Sequence, residues 1–118
     1  MKVMTCSWFD FERINAAREK GSRIVSVSRS EPRGFVPDYK IWHFCPSPEL
    51  LSRFKSGKTD EVEYDIEYIR DFLLTGKDGI QHLEDGDVLC CWEEEGAFCH
   101  RVILAELLTK QGIEVEVH

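Results

Sequence analysis

Three consecutive side chains, Cys99, His100 and Arg101, stand where the stretch RVILAELLTKQG predicts a helix to begin, with Gly112 as its stop. The unpaired N–H groups of a first helical turn favour an anion. Arg101 adds a planar fork suited to phosphate or carboxylate. Together they point to a small anionic ligand, with Arg29 or Arg33 closing from a neighbouring loop. The competing reading pairs Arg101 with Glu93 or Glu94 and makes it a tie for that loop. A helix start beside an imidazolium and a guanidinium also lowers a thiol's pKa, which makes Cys99 a candidate nucleophile. Its alternative is a small buried hydrophobe. In a catalytic reading His100 is the proton carrier, and Glu93 shares with Cys99 the role of base or nucleophile.

Other chemistries fit these residues less well. A phosphatase-like or rhodanese-like loop needs a cysteine a few residues before its arginine; Cys99 is too near Arg101, and Cys91 too far. Zinc accepts the side-chain types of Cys91, Cys99 and His100. Adjacent residues on a helix point about 100° apart, so Cys99 and His100 do not readily meet one ion, and no CxxC spacing exists. The sequence therefore predicts no metal site, and it names no cofactor. Glu93, Glu94 and Glu95 before a glycine read either as a cation or acid–base site or as a solvated turn. Trp92, Trp42, Tyr39 and Phe35 either stack a base or close the core.

The elements that must position these groups follow from local pattern. Lys2 to Trp8 is an apolar β segment; Phe9 to Glu19 is compatible with a helix, with Asp10 to cap it and Gly21 to end it. IVSVS, Ile24 to Ser28, is a short buried strand. Four prolines and a glycine between Glu31 and Pro48 forbid a long regular element, while Phe35, Tyr39, Trp42 and Phe44 pin an ordered loop. Glu49 to Lys55 reads as a short helix. Val62 to Thr75 is the clearest amphipathic helix, with Ile66, Ile69 and Leu73 at helical spacing, Phe72 beside them and Gly76 where a C-cap belongs. DVLCCW, Asp87 to Trp92, is a central strand whose Cys90 and Cys91 enter opposite faces, Cys90 by burial. Ile113 to Val117 alternates apolar and acidic residues, as an edge strand with one wet face does. This order predicts a Rossmann-like three-layer α/β fold, a mostly parallel sheet of about four strands with helices on both faces. Ligands bind such sheets outside the carboxyl ends of the strands. Ser28, Arg29, Arg33, Cys91 and Arg101 are the expected binding residues at that edge.

Composition bounds the rest. A chain of 118 residues fits one domain, 1–118, with 42% apolar and 31% charged residues. No stretch is apolar enough to cross a membrane, and the N-terminus lacks a secretory pattern. Five cysteines, an odd number, then read as reduced thiols of a cytoplasmic protein. The formal net charge of −7 opposes extended nucleic-acid binding, yet leaves room for a local basic pocket built from Arg23, Arg29, Arg33 and Arg101. Oligomeric state is not written in the pattern.

The stretch CWEEEGAFCHRVILAELLTKQGIEV, Cys91 to Val115, resembles the C-terminal signature of the DUF488 family, in which a strand ends in Cys-aromatic-Glu and Phe-Cys-His-Arg opens a helix. VSVSRSEPRGF, Val25 to Phe35, is similar to the family's other signature, a strand leading into Ser-Arg and a proline. RFKSGKTDEVEYDIEYIRDFL resembles its middle helical segment. The resemblance implies an α/β fold found in bacterial and phage proteins, and it brings no established activity.

Overall fold

The computed structural model describes residues 1–92 and 100–118. Along the chain run β1 (Lys2–Ser7), α1 (Phe11–Glu19), β2 (Ile24–Ser26), β3 (Tyr39–Lys40), a 3₁₀ turn at Trp42–Phe44, α2 (Pro48–Lys55) and α3 (Glu61–Leu74). A second 3₁₀ stretch, Gly76–His82, then leads to β4 (Val88–Cys91), α4 (His100–Lys110) and β5 (Glu114–Val117). The strands form one sheet in the order β3-β2-β4-β1-β5, and every pairing in it is parallel.

The sheet has five strands where the sequence predicts about four. The additional one, β3, is two residues long and lies in the Pro-rich stretch, pairing Val25 with Tyr39 and Ser26 with Lys40. An edge position tolerates the nearby prolines because only one side of the strand is bonded. The Asp38 carboxylate helps by accepting the Ile24 N–H at 2.7 Å.

Alternation along the strands divides the core. Val25, Leu89 and Cys91 face a layer containing Leu50 of α2, Tyr64, Tyr68 and Phe72 of α3, and Leu104 and Leu108 of α4. Ile24, Val88 and Cys90 face α1 through Ile14 and Ala17. Helices thus cover both faces, and the two adjacent cysteines enter opposite layers, as the period of a strand requires.

Local signals explain the helix starts. Asp10, Ser47 and Asp60 each accept the backbone N–H three residues on, from Arg13, Leu50 and Glu63. Two expectations on α3 need correction. The buried stripe is Tyr64, Tyr68 and Phe72, with Ile69 partly buried, whereas Ile66 and Leu73 are exposed. The aromatic residues take the inner face because they bury far more area than the aliphatic ones. Gly76 is not a left-handed C-cap either. Thr75 ends the helix, and a Cβ on Gly76 would sit 3.0 Å from the His43 carbonyl oxygen and 3.2 Å from the Phe72 ring, so the glycine serves close packing.

Candidate functional site

The carboxyl ends of β2 and β4 lie side by side, with Ser26 in register with Cys90 and the Val27 N–H donating to the Cys90 carbonyl at 3.1 Å. Next to this point a crevice of about 290 Å³ opens between the loop after β2 and helices α2 and α3. Ser28, Arg29 and Ser30 form one wall. Leu51, Phe54 and Lys55 of α2 form another, with the buried Tyr64 and His100 below and Trp92 at the rim.

A hydrogen-bond network fixes the first wall. Trp8 Nε1 donates to Ser28 Oγ at 3.2 Å, and Ser28 Oγ donates to the Ser30 carbonyl at 2.7 Å. The same carbonyl accepts Trp92 Nε1 at 2.6 Å, so strands β1, β2 and β4 are all tied to this turn. Arg29 is half-buried and held from two sides: Nη1 donates to the Pro46 carbonyl at 3.3 Å, and the guanidinium lies 5.2 Å from the Trp42 ring. Lys40 Nζ braces its backbone, donating to the Arg29 carbonyl at 3.1 Å while pairing with Glu31 at 2.8 Å.

His100 is the first residue of α4 and is 6% exposed. Its Nε2 lies 2.7 Å from the Val27 carbonyl oxygen, which only accepts, so Nε2 donates and carries a proton. The ring packs at 5.4 Å against Tyr68, whose hydroxyl donates to the Phe44 carbonyl at 2.6 Å. A buried imidazole oriented by a backbone carbonyl can move a proton at a fixed place.

The structure brings Ser28, Arg29 and His100 together, from stretches far apart in the chain, and sets Arg33, Cys91 and Arg101 away from the crevice. Arg101 is 1% exposed and stands behind the crevice: Nη1 donates to Cys91 Sγ at 3.0 Å and Nε to the His118 carbonyl at 3.2 Å. Cys91 is fully buried beside it. Arg33 is exposed and does not line the crevice. Glu93 and Cys99 lie outside the described residues, as do Glu94 and Glu95. Among the described residues no group of three or more His, Cys, Asp or Glu side chains converges as a metal site would require, and no helix is long and apolar enough to cross a membrane.

Lys55, Phe54 and Tyr64 are wall residues that motif reasoning passed over. A signal for them was available, since all three fall within RFKSGKTDEVEYDIEYIRDFL. A family model described as "Active DUF488-N3 subclade" matches residues 10–112. The chain belongs to the DUF488 family. No curated protein and no solved structure matches it. The DUF488 match takes in every wall of the crevice, from Ser28 to His100, and leaves out β1 and β5.

Proposed function

We propose that the crevice binds, or acts on, a small phosphate-bearing or nucleotide-like anion at the carboxyl edge of the sheet. The observation that carries this reading is the wall composition: Arg29 and Lys55 border the same opening as the aromatic Phe54, Tyr64 and Trp92. Cations meet a phosphate, and flat apolar rings meet a base or sugar. Ser28 and the turn it stabilises shape the phosphate side. In the catalytic form of the reading, His100 carries the proton and Cys99 or Glu93 supplies the nucleophile or base; the description of the matching subclade as active favours this form. Arg101 and Cys91 then act from behind, bracing the end of β4 against α4.

A second reading rests on the burial of Arg101. If the Cys-His-Arg motif is structural throughout, the protein is a non-catalytic bacterial or phage accessory factor whose work lies in contacts with another molecule. Thermal melting in inorganic phosphate or AMP separates the two. A ligand that binds only the native state raises the melting temperature, by about 2.7 kcal/mol of stability at a hundredfold excess over Kd. The anion reading expects that rise in the wild type and its loss in Arg29→Ala. No rise with either ligand favours the accessory factor.

A further inference from the structure

Helix α3 carries two apolar stripes, and the core uses one of them. Tyr64, Tyr68 and Phe72 turn inward, while Val62, Ile66 and Leu73 are 66%, 63% and 54% exposed and Ile69, in line with them, is half-buried. Single exposed aliphatic residues are ordinary on any surface. These four follow one another at steps of four, three and four residues, the a/d repeat that keeps a narrow seam along a helix for a second helix to fill. The seam is about 21 Å long over the 14 residues of α3. Because the core already holds α3 folded, pairing along it does not have to form the helix.

Charge says what fills the seam. On one flank Asp65 stands near Glu61 and, from α4, Glu106; burial and these two carboxylates push its carboxyl up, and none of the three is in an ion pair among the described residues. Arg70 lies on the other flank, about 140° round the axis, its side chain 61% exposed and reaching only as far as its neighbour Asp71 at 3.3 Å. The acidic residues beside Arg70 are already engaged, Glu63 by Thr59 and Glu67 by Arg53. Two helices paired in parallel about a twofold axis bring opposite flanks together, and their ion pairs join a residue to the one five places on in the other helix. Asp65 and Arg70 have that spacing. An antiparallel pair would set acidic flank against acidic flank.

We infer that α3 is a dimerisation helix: its outer stripe pairs in parallel with that of a second copy of this chain, and Asp65 of each copy meets Arg70 of the other. Tyr64, the α3 residue that lines the crevice, lies on the opposite side of the helix, so the inference does not rest on how the crevice is read.

The test is sedimentation equilibrium of the full chain from about 1 to about 200 µM, with circular dichroism to show that each variant is folded. A seam this short is an interface at the small end, so the wild type is expected to pass from monomer to dimer with a midpoint of about tens of micromolar. Ile66→Glu, at a position whose exposure spares the fold, sets two carboxylates against each other and weakens association at least about a hundredfold. Leu74→Glu, 68% exposed but off the seam, leaves it unchanged. Asp65→Lys and Arg70→Glu each weaken it about tenfold, and an equimolar mixture of the two associates like the wild type, because every cross-pair is then again of opposite charge. A wild type that stays monomeric throughout would overturn the second copy and leave the seam to a helix of another protein. A dimer untouched by Ile66→Glu, or broken equally by Leu74→Glu, would overturn the seam. A mixture that associates no better than its components would overturn the parallel pairing.

Discussion

Replacing Arg101 by methionine separates bracing from ligand binding. The guanidinium is almost wholly enclosed and donates to a backbone carbonyl, that of His118, and to the Cys91 sulfur. Charge-assisted bonds contribute about 1.5–3 kcal/mol each, but burying a guanidinium costs several kcal/mol. Methionine refills the volume of the stem. The net loss is therefore set by the acceptors left behind, about 1–3 kcal/mol of unmet desolvation. At about 3–6 °C per kcal/mol for a chain of this length, the melting temperature falls by roughly 5–15 °C. Arg29→Ala shows the opposite pattern. Arg29 is half-buried, with one 3.3 Å bond and one ring contact, so its removal costs about 1 kcal/mol or less, yet it abolishes the rise in melting temperature caused by phosphate or AMP. Differential scanning calorimetry of both variants, with and without ligand, gives the four numbers. An Arg101→Met protein that melts with the wild type but no longer responds to ligand would place the guanidinium in the crevice and refute this geometry.

Three further outcomes follow from the packing. Gly79→Ala puts a Cβ 2.8 Å from both His43 Cβ and the Phe44 ring and 2.9 Å from Ile41 Cγ2, so urea denaturation should show a loss of about 1–3 kcal/mol from overpacking. Tyr68→Phe removes the donor to the Phe44 carbonyl at a buried site and should cost about 1–2 kcal/mol by the same assay. Burial pushes the Cys45 thiol up to about 11. Because the thiolate is the reactive form, alkylation of Cys45 in the native protein, followed by peptide mapping, should be slow at pH 8 and still climbing at pH 10; a rate already level at pH 9 would contradict this burial.

The α/β architecture was legible because its signals are local and repeated. Asp10, Gly112 and the β-branched run at Ile24 each mark a boundary with little help from the rest of the chain. β3 was not legible, since two residues carry no period and its pairing with Val25 and Ser26 is a tertiary event. The inner face of α3 was misread for a related reason. Aliphatic spacing at Ile66, Ile69 and Leu73 competes with an aromatic stripe at Tyr64, Tyr68 and Phe72, and only the partner surface decides between them. At the crevice, the rule that ligands gather at strand carboxyl ends anticipates the meeting of Ser28 and Arg29 with His100. It does not foresee that Arg101, the next residue, turns inward to Cys91 and the His118 carbonyl, because one step along a helix moves a side chain by about 100°.

Sheet order has a consequence for synthesis. β1 and β2 are each bonded to β4, which lies between them, and the chain supplies β4 only at residues 88–91. A nascent chain on the ribosome holds both earlier strands before the one that joins them has emerged, and each then offers an open edge to any neighbour. Joining β1 to β2 depends on a partner distant in the chain, and long-range pairing of that kind is slow, so a message cut short before β4 yields a product that cannot close its sheet.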